Sequence, residues 1–291
     1  MNAVATPLHR LFVAKITDID VGRPINEDIK RAIERAMDEY AVCVLPGQNL
    51  EDAQQITFSR LYGPLASPSI SIARSTRIQH REIFDISNLD ENRGILSGKD
   101  ARSSFRLVTQ LWHTDLSFRE AAATWSMLHA RVIPPTGGDT EFADTRAAYD
   151  ALPDATKRTL ESLVAEHSLW HSSAKRGGYM PTEEERRSYP PARHKLVQRH
   201  PGSGRNALYI GSHASHIIGM SVEDGQTLLT ELIEFATQPQ FVYRHNWHIG
   251  DLVIWDNRCT MHRATPFDAT DHVRDMRRTT IIDTAPEMHV A

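Results

Sequence analysis

The stretch FVYRHNWHIGDLVIWDNRCTMHRATPF, residues 241–267, decides the fold class. FVYRHNW reads as one strand, and Gly250 turns the chain into a second, DLVIWDN. β-Branched and aromatic residues dominate both, with Gly and Asn as punctuation. A further strand follows in RRTTIID (277–283). The same texture recurs upstream in LVTQLWHTDLSF (107–118), ATWSMLHARVI (123–133) and TEFAD (140–144), the last two separated by the turn PPTGGDT (134–140). Strands joined by Gly/Pro turns and interrupted by helices predict a mainly β chain with helical insertions around an antiparallel core.

The helical insertions have their own signals. Asn26 is placed to cap a helix over 27–40, where Ile29, Ile33, Ala36, Met37 and Tyr40 share one face. AVCVLPG (41–47) reads as a short buried strand, and Asn49 as the start of a second helix that Gly63-Pro64 ends. Asp144 is placed to cap TRAAYDAL, another helix begins near Asp154, and VEDGQTLLTELIEFA (222–236) is amphipathic. Residues 66–106 show little periodicity outside REIFDISN (81–88), so this segment is expected to be a mobile loop over the active site. No repeat or low-complexity linker divides the chain, and residues 1–291 are expected to form one domain.

Bulk composition narrows the function. A net charge of -4 without blocks of like charge gives no footprint for nucleic acid or a membrane surface. No apolar run approaches the roughly 20 residues that cross a bilayer, and MNAVATPLHR lacks the pattern of a secretory signal, so a cytoplasmic protein is expected. Two cysteines, Cys43 and Cys259, cannot supply a disulfide framework or a four-cysteine zinc site, and read as small core residues. The 15 histidines, concentrated in the second half, direct attention to a metal site.

In Trp112-His113-Thr114-Asp115, an extended backbone would project His113 and Asp115 to one side. His262, expected at or just beyond the end of the strand DLVIW, is the candidate third ligand. Two imidazoles and one carboxylate on one face of an ion leave positions open for a chelating keto acid and O2, as in non-haem Fe(II) oxygenases. Zinc held by the same set, activating water for hydrolysis, is the competing chemistry, and a non-catalytic binding module is a third reading. Arg274 and Arg278, with Met276 between them, would share a strand face. A planar, permanently charged guanidinium is what a dicarboxylate tail needs.

WHTD, PPTGGDTEFAD, GDLVIWDNRCTMHRA and RDMRRTTI together resemble the taurine / 2,4-dichlorophenoxyacetate dioxygenase family, and QLWHTDLSF, ALYIGSHASH and FVYRHNWHIGDLVIWDNRC are most similar to its 2,4-dichlorophenoxyacetate branch. The likeness extends through TPLHRLF, MDEYAVCVLPGQ and AAYDALP, so it covers nearly the whole chain. It implies a double-stranded β-helix (jelly-roll) core, Fe(II), 2-oxoglutarate and O2, and a small carboxylic acid as substrate. His113, Asp115 and His262 match the iron ligands, Thr140 and Arg274 the 2-oxoglutarate contacts, and Arg278 the grip on the substrate carboxylate. Ser117 matches a backbone N–H contact, and His200, His213 and His216 match positions that shape the substrate site. The branch's substrate-binding lysine is replaced by Ser71, with Arg74 close by. The expected reaction is oxidation of an aryloxyacetate to a phenol and glyoxylate, with another carboxylate or a sulfonate such as taurine as the alternative substrate. The family likeness also implies a homo-oligomer.

Overall fold

The computed structural model describes residues 4–68, 77–98, 100–175 and 181–283. In chain order these form β1 (Val4–Pro7), β2 (Ala14–Thr17), α1 (Glu27–Tyr40), β3 (Val42–Leu45), α2 (Asp52–Arg60), β4 (Phe84–Ser87), α3 (Ala101–Val108), β5 (Ala123–Val132), β6 (Thr140–Asp144), α4 (Thr145–Ala151), α5 (Asp154–Leu160) and β7 (Val164–His167). There follow α6 (Leu169–Ala174), α7 (Glu183–Ser188), β8 (Ala192–Lys195), β9 (Val197–Arg199), β10 (Asn206–Leu208), β11 (Ala214–Ile217), α8 (Val222–Ala236), β12 (Val242–His245), β13 (Leu252–Asp256), β14 (Thr260–Ala264) and β15 (Asp275–Ile282).

The strand DLVIW shows how the layers form. Alternate side chains of a strand point to opposite faces. Leu252 and Ile254 pack with Cys43, Leu45 and the α1 residues Ile29, Ile33 and Met37. Val253 and Trp255 point the other way, onto Phe142 of β6. All five residues of β13 are buried, so both faces of this sheet are covered. Each fully buried aliphatic side chain of this kind contributes roughly 1.5–3 kcal/mol. The sheet has seven strands in the order β1-β2-β3-β13-β5-β15-β4, antiparallel except for the β2–β3 pair. Opposite it lies an antiparallel sheet, β12-β6-β14, whose far face carries Ala143 and Met261 into a cluster with α4 and α8. The chain is thus strand-rich with helical insertions, as its sequence pattern predicts.

The helix signals are met with one shift. Asn26 accepts the Ile29 N–H and caps α1, and Asp144 accepts the Arg146 and Ala147 N–H groups at α4. The second helix starts not at Asn49 but after Glu51, whose N–H donates to the Gln54 side chain at 2.7 Å. Glu51 is itself extended (φ -81, ψ 161) and forms a capping box with Gln54, which sets the helix start there. Cys43 and Cys259 are buried and unpaired with each other.

Three expectations of strand placement need correction. LVTQLWHTDLSF is not a strand: α3 runs into it, and His113 makes only an isolated bridge with His262 before the chain turns. Leu116 sits in the left-handed region at φ 55, which ends any ladder there. His262 does not trail β13 but lies inside its own strand, β14, in the other sheet. Within 66–106, the described residues contain β4 and α3 rather than irregular chain alone, and β4 falls in REIFDISN. Ser71 and Arg74 lie outside the described residues.

Candidate metal centre

β14 presents alternate residues to opposite sides. Met261 goes to the helical layer and His262 faces the large sheet, against Trp255 (ring centroids 4.7 Å apart) and Phe142 (6.2 Å). The His113 N–H donates to the His262 carbonyl at 3.0 Å, and the His262 N–H returns a bond at 2.8 Å. This single bridge places the two imidazoles side by side, 4.2 Å between ring centroids. Two residues on, Asp115 completes a cluster whose ligand atoms all lie within 4.8 Å of one another. All three side chains are buried.

The donor set fits a divalent ion. His113 Nδ1 bonds the Leu111 carbonyl at 2.7 Å; a carbonyl only accepts, so Nδ1 carries the proton and Nε2 is a lone pair. His262 Nε2 and Asp115 Oδ2 face each other at 3.8 Å, too far for a hydrogen bond and suited to a shared cation. Burial pushes the pKa of His113 down and that of His262 well down, so both rings are neutral and able to ligate. Burial works to raise the Asp115 pKa, but the permanent charge of Arg278, helped by the Ser126 hydrogen bond, outweighs it and holds it at about 2.

Asn257 fixes the carboxylate. Its Oδ1 accepts the Asp115 N–H at 3.0 Å and Trp255 Nε1 at 3.1 Å. Its Nδ2 donates to Ser126 Oγ at 3.0 Å, and that hydroxyl donates to Asp115 Oδ2 at 2.7 Å. Sequence reasoning missed both residues. Asn257 looks like a turn residue ending a strand, and Ser126 like an interior strand serine. Outer partners of metal ligands are worth about 10–100-fold in metal affinity. Asn257→Ala is therefore expected to weaken Mn(II) binding by about that factor, read by calorimetric titration. An unchanged affinity would show that Asp115 is held without it.

The cluster opens on a cavity of about 350 Å3. Arg278 and Arg274 both reach it, but Arg274 does so from just before β15, where the register shifts at Asp275/Met276, and not from a shared strand face. Arg278 Nη1 donates to Asp115 Oδ1 at 2.5 Å, its guanidinium lies 4.8 Å over the Phe84 ring, and its buried Nε has no partner among the described residues. Arg274 Nε donates to the Gly138 carbonyl at 3.1 Å. Gly137 and Gly138 have φ of +72° and +69°, and a Cβ on Gly137 would lie 2.4 Å from the Pro266 carbonyl, so PPTGGDT needs glycine there to approach so closely. Thr140 lines the same space; its Oγ1 accepts Trp247 Nε1 at 3.1 Å, which leaves its own O–H to donate.

The remaining expected site residues separate. His213 lines the cavity, 6.1 Å from the His113 ring. His200 and His216 do not: His200 is taken up by Asp256 and Ser203, and His216 lies against Glu166 and Ser215. The Ser117 side chain pairs with His167 at 3.1 Å, while its neighbours Leu116 and Phe118 line the cavity. Trp112, Trp125, Trp247 and Trp255 are buried as core residues, yet Trp255 also lines the cavity. His200, Asp256 and Cys259 form a second cluster of ligand types among the described residues. Asp256 there already accepts from Trp125, Arg258 and His200, so its oxygens serve a hydrogen-bond network.

Comparison with known proteins agrees with this geometry. Residues 5–280 match the family described as taurine catabolism dioxygenase TauD, TfdA family. An alpha-ketoglutarate-dependent 2,4-dichlorophenoxyacetate dioxygenase of Cupriavidus pinatubonensis is 47% identical over 287 residues, 98% of this chain and 99% of that protein. An (S)-phenoxypropionate/alpha-ketoglutarate-dioxygenase of Sphingobium herbicidovorans is 36% identical over 275 residues, 91% of this chain and 90% of that one. The crystal structure of AAD-2 in complex with Mn(II) and N-oxalylglycine superposes with a TM-score of 0.90 at 43% identity, covering 97% of this chain and 98% of that one. Matching sequence along almost the full length and matching shape lead to one conclusion: this chain belongs to the taurine catabolism dioxygenase TauD, TfdA family.

Proposed function

We propose that this protein is an Fe(II)- and 2-oxoglutarate-dependent dioxygenase that oxidises an aryloxyacetate at the carbon beside its ether oxygen, releasing a phenol and glyoxylate. The observation that carries this is the meeting of His113, Asp115, His262, Arg274 and Arg278 in one cavity whose other walls are largely apolar. Identity of 47% to a 2,4-dichlorophenoxyacetate dioxygenase supports the substrate class. Packing of the seven-stranded sheet and the three-stranded sheet around Phe142 and Trp255, with the likeness to AAD-2, supports a double-stranded β-helix core in a single domain.

Each side chain then has a task. His113, Asp115 and His262 would hold Fe(II), which supplies O2 activation coupled to the decarboxylation of 2-oxoglutarate to succinate and CO2. Arg274 would pair with the distal carboxylate of 2-oxoglutarate, and the Thr140 hydroxyl would donate to it. Arg278 keeps Asp115 in place through Nη1 and, lining the cavity, would turn the rest of its guanidinium to the substrate carboxylate. Phe84, Phe118, Leu107, Leu169 and Tyr189 give an aryl ring an apolar wall and exclude water. That wall favours an aryl acid over taurine, whose ammonium group would lose its hydration there. The segment 66–106 contributes Phe84, Leu89 and Leu96 to the wall and would act as a cover over it.

The deciding experiment is an anaerobic titration of the protein with Fe(II) and 2-oxoglutarate. A metal-to-ligand charge-transfer band should grow in and shift when 2,4-dichlorophenoxyacetate is added. Admitting O2 should then release succinate and phenol in equal amounts. Hydrolysis of an ester without O2, and no such band, would instead establish the zinc reading.

A further inference from the structure

The chemical state of His213 is fixed by a relay outside the cavity. Its Nδ1 lies 2.9 Å from the Ser172 hydroxyl in α6. That hydroxyl lies 2.8 Å from the Leu169 carbonyl, which can only accept. The one hydroxyl proton therefore goes to Leu169, and Ser172 presents a lone pair to the imidazole. Nδ1 must carry the imidazole proton, and Nε2 is left as a bare acceptor. The ring is buried, which favours its neutral form. No hydrogen bond from the described residues reaches Nε2. The ring lines the cavity between His113 (6.1 Å) and Phe118 (5.0 Å).

His213 stands between His113 of the metal cluster and Phe118 of the apolar wall, in the cavity that Arg278 also lines. A substrate with its ring on that wall and its reacting carbon at the metal would carry its bridging atom past His213. An ether oxygen is an acceptor only, and would set its lone pairs against that of Nε2. An N–H at the same place donates to it.

We propose that His213 recognises a hydrogen-bond donor at the bridging atom, and that the enzyme therefore also takes N-arylglycines, cleaving them to an arylamine and glyoxylate. This rests on the reading of the site as an aryloxyacetate-oxidising dioxygenase. The reaction balances: ArNH–CH2–COO⁻, 2-oxoglutarate and O2 give ArNH–CH(OH)–COO⁻, succinate and CO2. One C–H bond is replaced by C–OH while the keto acid is oxidised with loss of CO2. The carbinolamine then loses its hydroxyl proton as the C–N bond breaks, and nitrogen leaves with the electron pair and takes up a proton. The products are ArNH2 and glyoxylate.

The test compares N-(2,4-dichlorophenyl)glycine with 2,4-dichlorophenoxyacetate on the Fe(II)- and 2-oxoglutarate-loaded enzyme. Arylamine, phenol and glyoxylate are quantified, and the ratio of kcat/KM for the glycine to that for the ether is followed across variants. A neutral hydrogen bond corresponds to up to about tenfold in that ratio. His213→Phe is expected to lower it by about that factor. Ser172→Ala leaves the cavity wall unchanged but frees the imidazole to take its other tautomer, and is expected to lower it in the same sense. A ratio unmoved by both variants overturns the proposal, as does failure of the glycine to bind. Anaerobic binding, read from the effect of each acid on the Fe(II)–2-oxoglutarate band, gives the same ratio without turnover. Loss of product with the His213-dependent binding ratio intact would count against the oxidation reading and for His213 as an acceptor.

Discussion

Replacing Asp115 with alanine is expected to abolish succinate formation, by more than about a hundredfold, since disturbing merely an outer partner of a metal ligand already costs about 10–100-fold in affinity or activity. Asp115 is the sole anion of the triad, and its removal leaves two neutral imidazoles to hold a divalent cation. The substitution has a second effect, on the fold. Arg278 Nη1 donates to Asp115 Oδ1, and the two side chains are only 14% and 5% exposed. Breaking a buried pair from one side costs roughly 3–5 kcal/mol, because the other charge stays buried without its partner. The metal-free alanine variant should therefore unfold at a lower temperature than wild type. Asp115→Asn keeps one oxygen to accept from Arg278 and turns its NH2 toward the Ser126 hydroxyl that had bonded the other oxygen, and should lose activity equally with a smaller change in melting temperature. Succinate release near the wild-type rate in either variant would remove Asp115 from the metal site.

Replacing Arg274 with alanine should raise the 2-oxoglutarate requirement steeply while leaving metal binding intact. Truncating one partner of a buried, charge-assisted pair costs about 2–5 kcal/mol, which is roughly thirtyfold to a few thousandfold in affinity. Arg274 is 6% exposed, its N–H donates to the Asn88 side chain at 2.8 Å, and its Nε donates to Gly138. Backbone and side chain are thus both fixed before any ligand arrives, and little ordering entropy is lost on binding. Arg274→Lys keeps the charge but loses the planar fork, so it should fall between alanine and wild type. The measurement is the 2-oxoglutarate concentration that half-saturates the anaerobic charge-transfer band. Equal values for wild type and both variants would place the dicarboxylate's anchor elsewhere.

The element types were largely legible in the chain itself. Asn26, Asp144 and the continuous apolar run in DLVIW determine α1, α4 and β13, because capping and strand preference are local. WHTD with a downstream histidine and RDMRR also named residues that the structure gathers in one cavity. Local pattern misled where the backbone departs from regular structure. WHTD sits at one bridge and then a turn, so the convergence of His113 and Asp115 owes nothing to strand alternation over that stretch.

The sequence by itself determined the strand-rich class, the main helices and the His, Asp and Arg side chains that line one cavity. Tertiary structure alone decided that β14 lies in the opposite sheet from β13, that His113 pairs with His262 across a single bridge, and that Asn257 and Ser126 steady Asp115. It also decided that His213 reaches the cavity while His200 and His216 do not. The physical reason is common to these cases. Periodicity records which way a side chain points from its own backbone, whereas a site depends on where distant backbones pack, and that is set by the burial of both faces of a sheet at once.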